Sequence, residues 1–272
     1  MFRVLGCTLY ERYGATGDRF MKLSANLGFL FTDLPLAARI YAAHNAGFDA
    51  VEFHDQLQST ALAPVVRALS ETGLEVISLN TRMGATMGQA ALSQAAFRND
   101  LEAALGAAAV VGAGAVHVTA GVGGTKEVYL ACLSDALAQA TCPILIEPIC
   151  SRAIPDYHLC QLAQAEAILG ILNHPRLKLL FDWYHVATME GVAAALSHMV
   201  RLAPQIGHVQ LARLADRGDP VPEHMPELGA VLRHMRKAGL GTIGLEYHPT
   251  QPVAATLVGL RKFYMTLQHD TP

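Results

Sequence analysis

Eight times along the chain, a short β-prone apolar run gives way to a longer segment of helical character. That alternation marks βα units feeding a parallel sheet. The runs fall near Lys22–Leu30, Asp49–His54, Glu75–Thr81, Ala115–Gly121, Pro143–Ile149, Leu177–His185, Ile206–Arg213 and Thr242–His248. Helical segments fill the gaps. Leu36–Asn45, Leu62–Thr72 and Met225–Ala238 each stop just short of a glycine placed to cap a helix C-terminus, at Gly47, Gly73 and Gly239. Eight strands with eight helices favour a closed (β/α)8 TIM barrel, and 272 residues suit one such domain. An open doubly wound sheet would carry a glycine-rich phosphate loop after its first strand, and none follows Leu30. The barrel is expected over residues 21–272, with residues 1–20 an N-terminal extension, because strand character begins only near Lys22.

Three of the runs carry an acid inside their far end: Glu147 in PILIEP, Asp182 in LKLLFDWYH and Glu246 in TIGLEYHP. A buried carboxylate persists only when it is paired, hydrogen-bonded or bound to a metal. In a barrel the carboxyl ends of all strands share one mouth, where catalytic groups sit. The late-strand polar residues are then Glu52, His54, Asn80, His117, Glu147, Asp182, His185, His208, Gln210, Glu246 and His248. Residues two apart share a face, so only part of this set points inward. Glu147, Asp182, Gln210 and Glu246, on strands five to eight, offer oxygens and no thiolate, a donor set for Mg²⁺ or Mn²⁺. One acid at a strand end is often a hydrogen-bonded rim residue; four oxygen-bearing side chains on consecutive strands read as a site. His185 fits either a core position or a substrate contact, and His117 reads as a strand histidine satisfied by neighbouring backbone.

Composition excludes several partners. Apolar residues make up 52% and charged residues 16%, with a formal net charge of −3 and no basic patch for nucleic acid or an anionic membrane. The longest apolar stretch, near Leu101–Val118, is interrupted by glutamate, glycine and histidine and falls short of a membrane span. The first twenty residues lack a signal-peptide pattern, and the cytoplasm is expected. Five cysteines without a C-x-x-C pair indicate neither a disulfide framework nor structural zinc, and Cys150 reads as a buried thiol.

Six segments taken together resemble the hydroxypyruvate isomerase family of the xylose-isomerase-like barrels: SANLGFLFT (Ser24–Thr32), GFDAVEF (Gly47–Phe53), IEPI (Ile146–Ile149), FDWYH with the later MEG (Phe181–His185, Met189–Gly191), GHVQ (Gly207–Gln210) and GLEYHP (Gly244–Pro249). The resemblance spans roughly Leu23 to Tyr264. It implies metal ligation by Glu147, Asp182, Gln210 and Glu246, proton transfer by Glu147 and Glu246, substrate contacts at His185 and Arg217, and a homo-oligomer. The family's loop after the seventh strand reads close to GRHEP, where this chain has DRGDP (Asp216–Pro220), with Gly218 and Asp219 in place of histidine and glutamate. The family's EPIN is EPIC here, ending in Cys150, and the segment Arg82–Phe97 is shorter than in typical members.

Such residues suit isomerisation of a short hydroxy-keto acid, hydroxypyruvate or a 2-oxotetronate, through an enediolate, with a divalent cation as Lewis acid and two glutamates as acid and base. Arg217 would pair with the substrate carboxylate. A ketose 3-epimerase would use the same glutamates on a sugar, and a non-catalytic barrel would only bind a partner. An endonuclease-like relative would need a basic surface that the sequence lacks.

Overall fold

Eight parallel strands close into a barrel in the computed structural model, which describes residues 21–269. The expected extension, residues 1–20, lies outside the described residues. The strands are β1 (Lys22–Asn26), β2 (Ala50–Phe53), β3 (Glu75–Asn80), β4 (Ala115–His117), β5 (Ile144–Ile146), β6 (Leu177–Asp182), β7 (Ile206–Leu211) and β8 (Thr242–Leu245). They pair in chain order, and β1 closes on β8 with Lys22 opposite Thr242. The helices packed outside are α1 (Leu36–Ala46), α2 (Leu62–Thr72), α3 (Gln94–Val111), α4 (Lys126–Gln139), α5 (Leu162–Leu172), α6 (Trp183–Glu190), α7 (Val192–Arg201), α8 (Leu228–Lys237) and α9 (Val253–His269). Gly47 and Gly73 follow α1 and α2 in the left-handed conformation expected of C-cap glycines. Ser93 and Thr125 cap α3 and α4, accepting from the backbone of Ala96 and Val128.

Strand alternation sorts the residues into two compartments. Ile144 and Ile146 of β5 join the large core between sheet and helices, whereas Leu145 joins Ala115 and Leu180 in a separate small cluster. Since neighbouring residues on a strand face opposite ways, that cluster is the apolar floor of the barrel interior. Two residues further along the same faces stand His117, Glu147 and Asp182. The interior is thus apolar below and charged above. Gly244 makes room for part of the charged layer: a Cβ there would lie 2.6 Å from both Glu52 carboxylate oxygens and 2.7 Å from His208 Nε2.

The strands are shorter than the apolar runs suggested. The run Lys22–Leu30 leaves the sheet at Asn26, whose Oδ1 accepts from the Gly28 backbone at 2.9 Å and turns the chain. Leu177–His185 ends at Asp182, because the Asp182 carboxylate accepts from the Tyr184 backbone at 2.7 Å and starts a helix at once. His185 therefore sits in the first turn of α6 and not on a strand. No helix among the described residues is long and apolar enough to cross a membrane.

Candidate active site

The expected site residues meet inside the top of the barrel. Asp182 pairs in register with Gln210, and Gln210 with Gly244, so their positions share a face; Glu246, two residues past Gly244, continues it. Gln210 Nε2 donates to Glu246 Oε2 at 2.6 Å and to Glu52 Oε1 at 2.7 Å. Asn26 Nδ2 donates to the same two carboxylates, at 2.6 Å to Glu246 and 3.2 Å to Glu52. His208 Nε2 donates to Glu52 Oε2 at 2.6 Å. Glu52 is thus a buried hub beneath the site, gripped by three donors from β1 and β7. The sequence placed Glu52 and His208 among the strand-end polar residues without giving either a role, and Asn26 was not singled out. The available signal was an acid inside the apolar AVEF strand, the same signal that marks Glu246.

Arg217 arrives from the loop after β7 on a left-handed backbone, φ 57°. It was expected above the mouth, facing a substrate carboxylate. In the structure it reaches down between two acids, with Nη2 2.5 Å from Glu246 Oε1 and 3.0 Å from Asp182 Oδ2. Its guanidinium lies 4.8 Å from the centre of the Phe29 ring and 5.1 Å from that of Tyr184. The Arg217 Nε is buried and has no partner, which leaves a donor available to a ligand.

Glu147 completes the set. It, Asp182 and His185 each offer a ligand atom within 4.8 Å of the others. His185 Nε2 is 3.6 Å from Asp182 Oδ2 and 3.8 Å from Glu147 Oε1, while its Nδ1 lies 3.2 Å from Cys150 Sγ. His117 was expected to be satisfied by backbone; instead its Nδ1 meets the Asn80 side-chain oxygen at 3.1 Å and its Nε2 has no hydrogen-bond partner, 3.7 Å from Glu147 Oε2. The reason is register: Asn80 is its Cα partner across β3 and β4, so the two side chains share a face.

Burial dominates the electrostatics. It pushes the Glu147 carboxyl well above the usual range, helped by the nearby Asp182 and Glu246. Glu246 is also raised by burial, against the pull of Arg217. Burial lowers His54 and His185 to about 4 and His117 to about 3, so these rings are neutral bases. Four carboxyl groups, of Glu52, Glu147, Asp182 and Glu246, are buried here around the guanidinium of Arg217. The Oε1 atoms of Glu147 and Gln210 are buried without partners. Crowded carboxyl groups and unpaired hard oxygens fit a divalent cation, whose charge would favour their ionised forms. Glu147, Asp182 and His185 are grouped closely enough to hold one, while both Glu246 oxygens are already bonded to Arg217, Asn26 and Gln210. The site opens into a cavity of about 160 Å³ lined in part by Glu147, His185, Gln210, Arg217 and Glu246. That is below the roughly 300–1,000 Å³ of pockets for drug-sized ligands, so the cavity suits a small substrate.

The chain belongs to the xylose isomerase-like TIM barrel family, the match spanning residues 40–263. Within it, a Drosophila melanogaster protein named "Putative hydroxypyruvate isomerase" is 32% identical over 269 residues, covering 91% of this chain and 99% of its own. A protein of Cupriavidus necator named "2-oxo-tetronate isomerase" is 32% identical, covering 89% of this chain and 98% of its own. Among solved structures, an AP endonuclease, family 2, from Brucella melitensis superposes with a TM-score of 0.81 at 24% identity, covering 88% of this chain and 97% of that one; this likeness speaks to the fold.

Proposed function

We propose that the protein isomerises a short hydroxy-keto acid, hydroxypyruvate or a 2-oxotetronate, by moving the carbonyl to the neighbouring carbon. Isomerisation is the activity named for the curated relatives, and the chain is an isomerase of that family. One observation carries the substrate reading: two glutamates just past the ends of different strands, Glu147 and Glu246, line one small cavity together with an arginine that has an unused buried donor.

The steps assigned to the chain are these. One glutamate removes the proton from the hydroxyl-bearing carbon; the other returns a proton to the former carbonyl carbon, and the hydroxyl proton passes to the old carbonyl oxygen. A Mg²⁺ or Mn²⁺ ion held by Glu147, Asp182, Gln210 and Glu246 would supply Lewis-acid stabilisation of the enediolate charge. Gln210 is oriented for this role, since its amide nitrogen is committed to Glu52 and Glu246 and its oxygen is left unpaired. His185 orients a substrate oxygen, and the free Nε of Arg217 receives the carboxylate. We place the reaction in the cytoplasm and expect a homo-oligomer; Cys132, Cys150 and Cys160 form no disulfide, which suits a reducing compartment.

The test is solvent exchange. With Mn²⁺ or Mg²⁺ in deuterated water, hydroxypyruvate or a 2-oxotetronate should gain deuterium on carbon, and Glu147→Gln or Glu246→Gln should stop it. Exchange confined to uncharged ketoses would assign the protein to sugar epimerisation instead. No exchange with any of these compounds would leave a binding barrel without catalysis.

A further inference from the structure

The cavity has a second wall that the chemistry above does not use. The loops following β3, β4 and β5 are stitched to one another by the isolated bridges Gly88–Ala120 and Val122–Tyr157. Four backbone bonds of 2.8 Å reinforce them, from Ala91 to Ala120, Val122 to Thr86, Gly123 to Asp156 and His158 to Gly121. The seam is tight: a Cβ on Gly88 would lie 2.3 Å from the Thr119 carbonyl oxygen. This layer presents Met83, Met87, Ile149 and Ile154 to the cavity.

Most of the polar groups on these loops are already engaged. The Tyr157 hydroxyl accepts from the Ala120 backbone at 2.8 Å, and the Thr119 hydroxyl lies 2.9 Å from that of Thr81. Asn80 spends its oxygen on His117 and its amide nitrogen on the Met83 sulfur, at 3.5 Å. A substrate hydroxyl directed at the Met83, Met87 and Ile154 side chains would lose water and gain no partner from them, whereas a methyl group would be buried favourably.

We propose that the substrate ends in a short apolar group, so that the preferred acid is a 3-hydroxy-2-oxo acid terminating in methyl and not its homologue terminating in hydroxymethyl. This rests on the reading of the site as one for hydroxy-keto acids. The reacting carbons face Glu147, Gln210, Arg217 and Glu246, and the fourth carbon meets Met83, Met87 and Ile154. Hydrophobic pockets reject an added hydroxyl by about a hundredfold at best, so a ten- to hundredfold preference is expected.

Binding tests this apart from catalysis. Calorimetric titration of the Mn²⁺-supplemented protein with 2-oxobutanoate and with 4-hydroxy-2-oxobutanoate should show the methyl acid binding about tenfold more tightly or better. The double variant Met83→Gln, Met87→Gln offers amides to the hydroxyl and should bring the two acids near parity; Ile154→Asn, on a different loop, should move the ratio the same way. Equal or tighter binding of the hydroxylated acid by the wild type overturns the inference, as does an unchanged ratio in both variants or binding of neither acid. A methyl preference in binding without deuterium exchange on any hydroxy-keto acid would sustain the apolar wall while removing the isomerase reading.

Discussion

Arg217 and Glu246 share a hydrogen bond of 2.5 Å, and the same guanidinium nitrogen reaches Asp182 at 3.0 Å. On the proposed reading the arginine has two duties, pairing with the acids and receiving a carboxylate through its unpaired Nε. Arg217→Ala should raise KM for acid substrates and leave that for an uncharged ketose little changed. The loss is on the order of 2–5 kcal/mol for a desolvated charge pair. Steady-state kinetics on both substrate types reads the difference; an equal loss on each would show that Arg217 acts only on the acids beneath it.

Divalent cation binding should stabilise the fold, because it relieves repulsion among the buried carboxylates. At a hundred times its dissociation constant the ion adds about 2.7 kcal/mol. Thermal unfolding with Mn²⁺ and after chelation should show a higher midpoint in the first case. Asp182→Ala should abolish both the shift and the calorimetric signal of binding.

Glu52 makes no bond to a reacting group in this scheme, yet it holds Gln210 at 2.7 Å and His208 at 2.6 Å. Glu52→Gln keeps the shape and turns one of the two acceptor oxygens into a donor. Outer partners of ligands typically contribute 10–100-fold in metal affinity or activity. We expect a folded protein with Mn²⁺ affinity lowered by about that range, measured by calorimetry; unchanged affinity would reduce Glu52 to a packing residue.

Away from the mouth, Arg201 grips Glu166 with bonds of 2.6 and 2.8 Å and holds its carboxyl below the usual value of 4.5. A depressed carboxyl stabilises the fold above its unfolded pKa, and that contribution disappears as pH falls through the folded value. The pair is partly exposed, with 50% and 30% of its side chains accessible, so screening limits it to about 0.5 kcal/mol. Urea denaturation of Arg201→Ala should show this small deficit at pH 7 and a shrinking one below pH about 4.5.

The barrel was legible because it is written locally. Each β-prone run and each capping glycine, such as Gly47 and Gly73, can be read within a dozen residues. Glu147, Asp182 and Glu246 stood out for the same reason, as acids inside apolar runs. What the local pattern could not carry was which polar group meets which. The length of β6 depended on whether Asp182 would cap a helix, and the family likeness alone pointed to Arg217, whose descent between two acids depends on a left-handed turn far from either. Glu52 and His208 were visible as polar residues, but their pairing spans 156 positions and needs the empty space at Gly244.

The bond from Asn26 to Glu246 joins residues 220 positions apart, across the seam where β1 closes on β8. During synthesis the first strand must therefore wait for the last. At 5–20 residues per second, roughly 10–45 seconds separate the two. Through that interval Asn26 lacks Glu246, and among the described residues the β1 edge that later meets β8 has no partner strand. The nascent barrel spends its synthesis as an unclosed sheet with an exposed edge, the form most open to pairing with another chain.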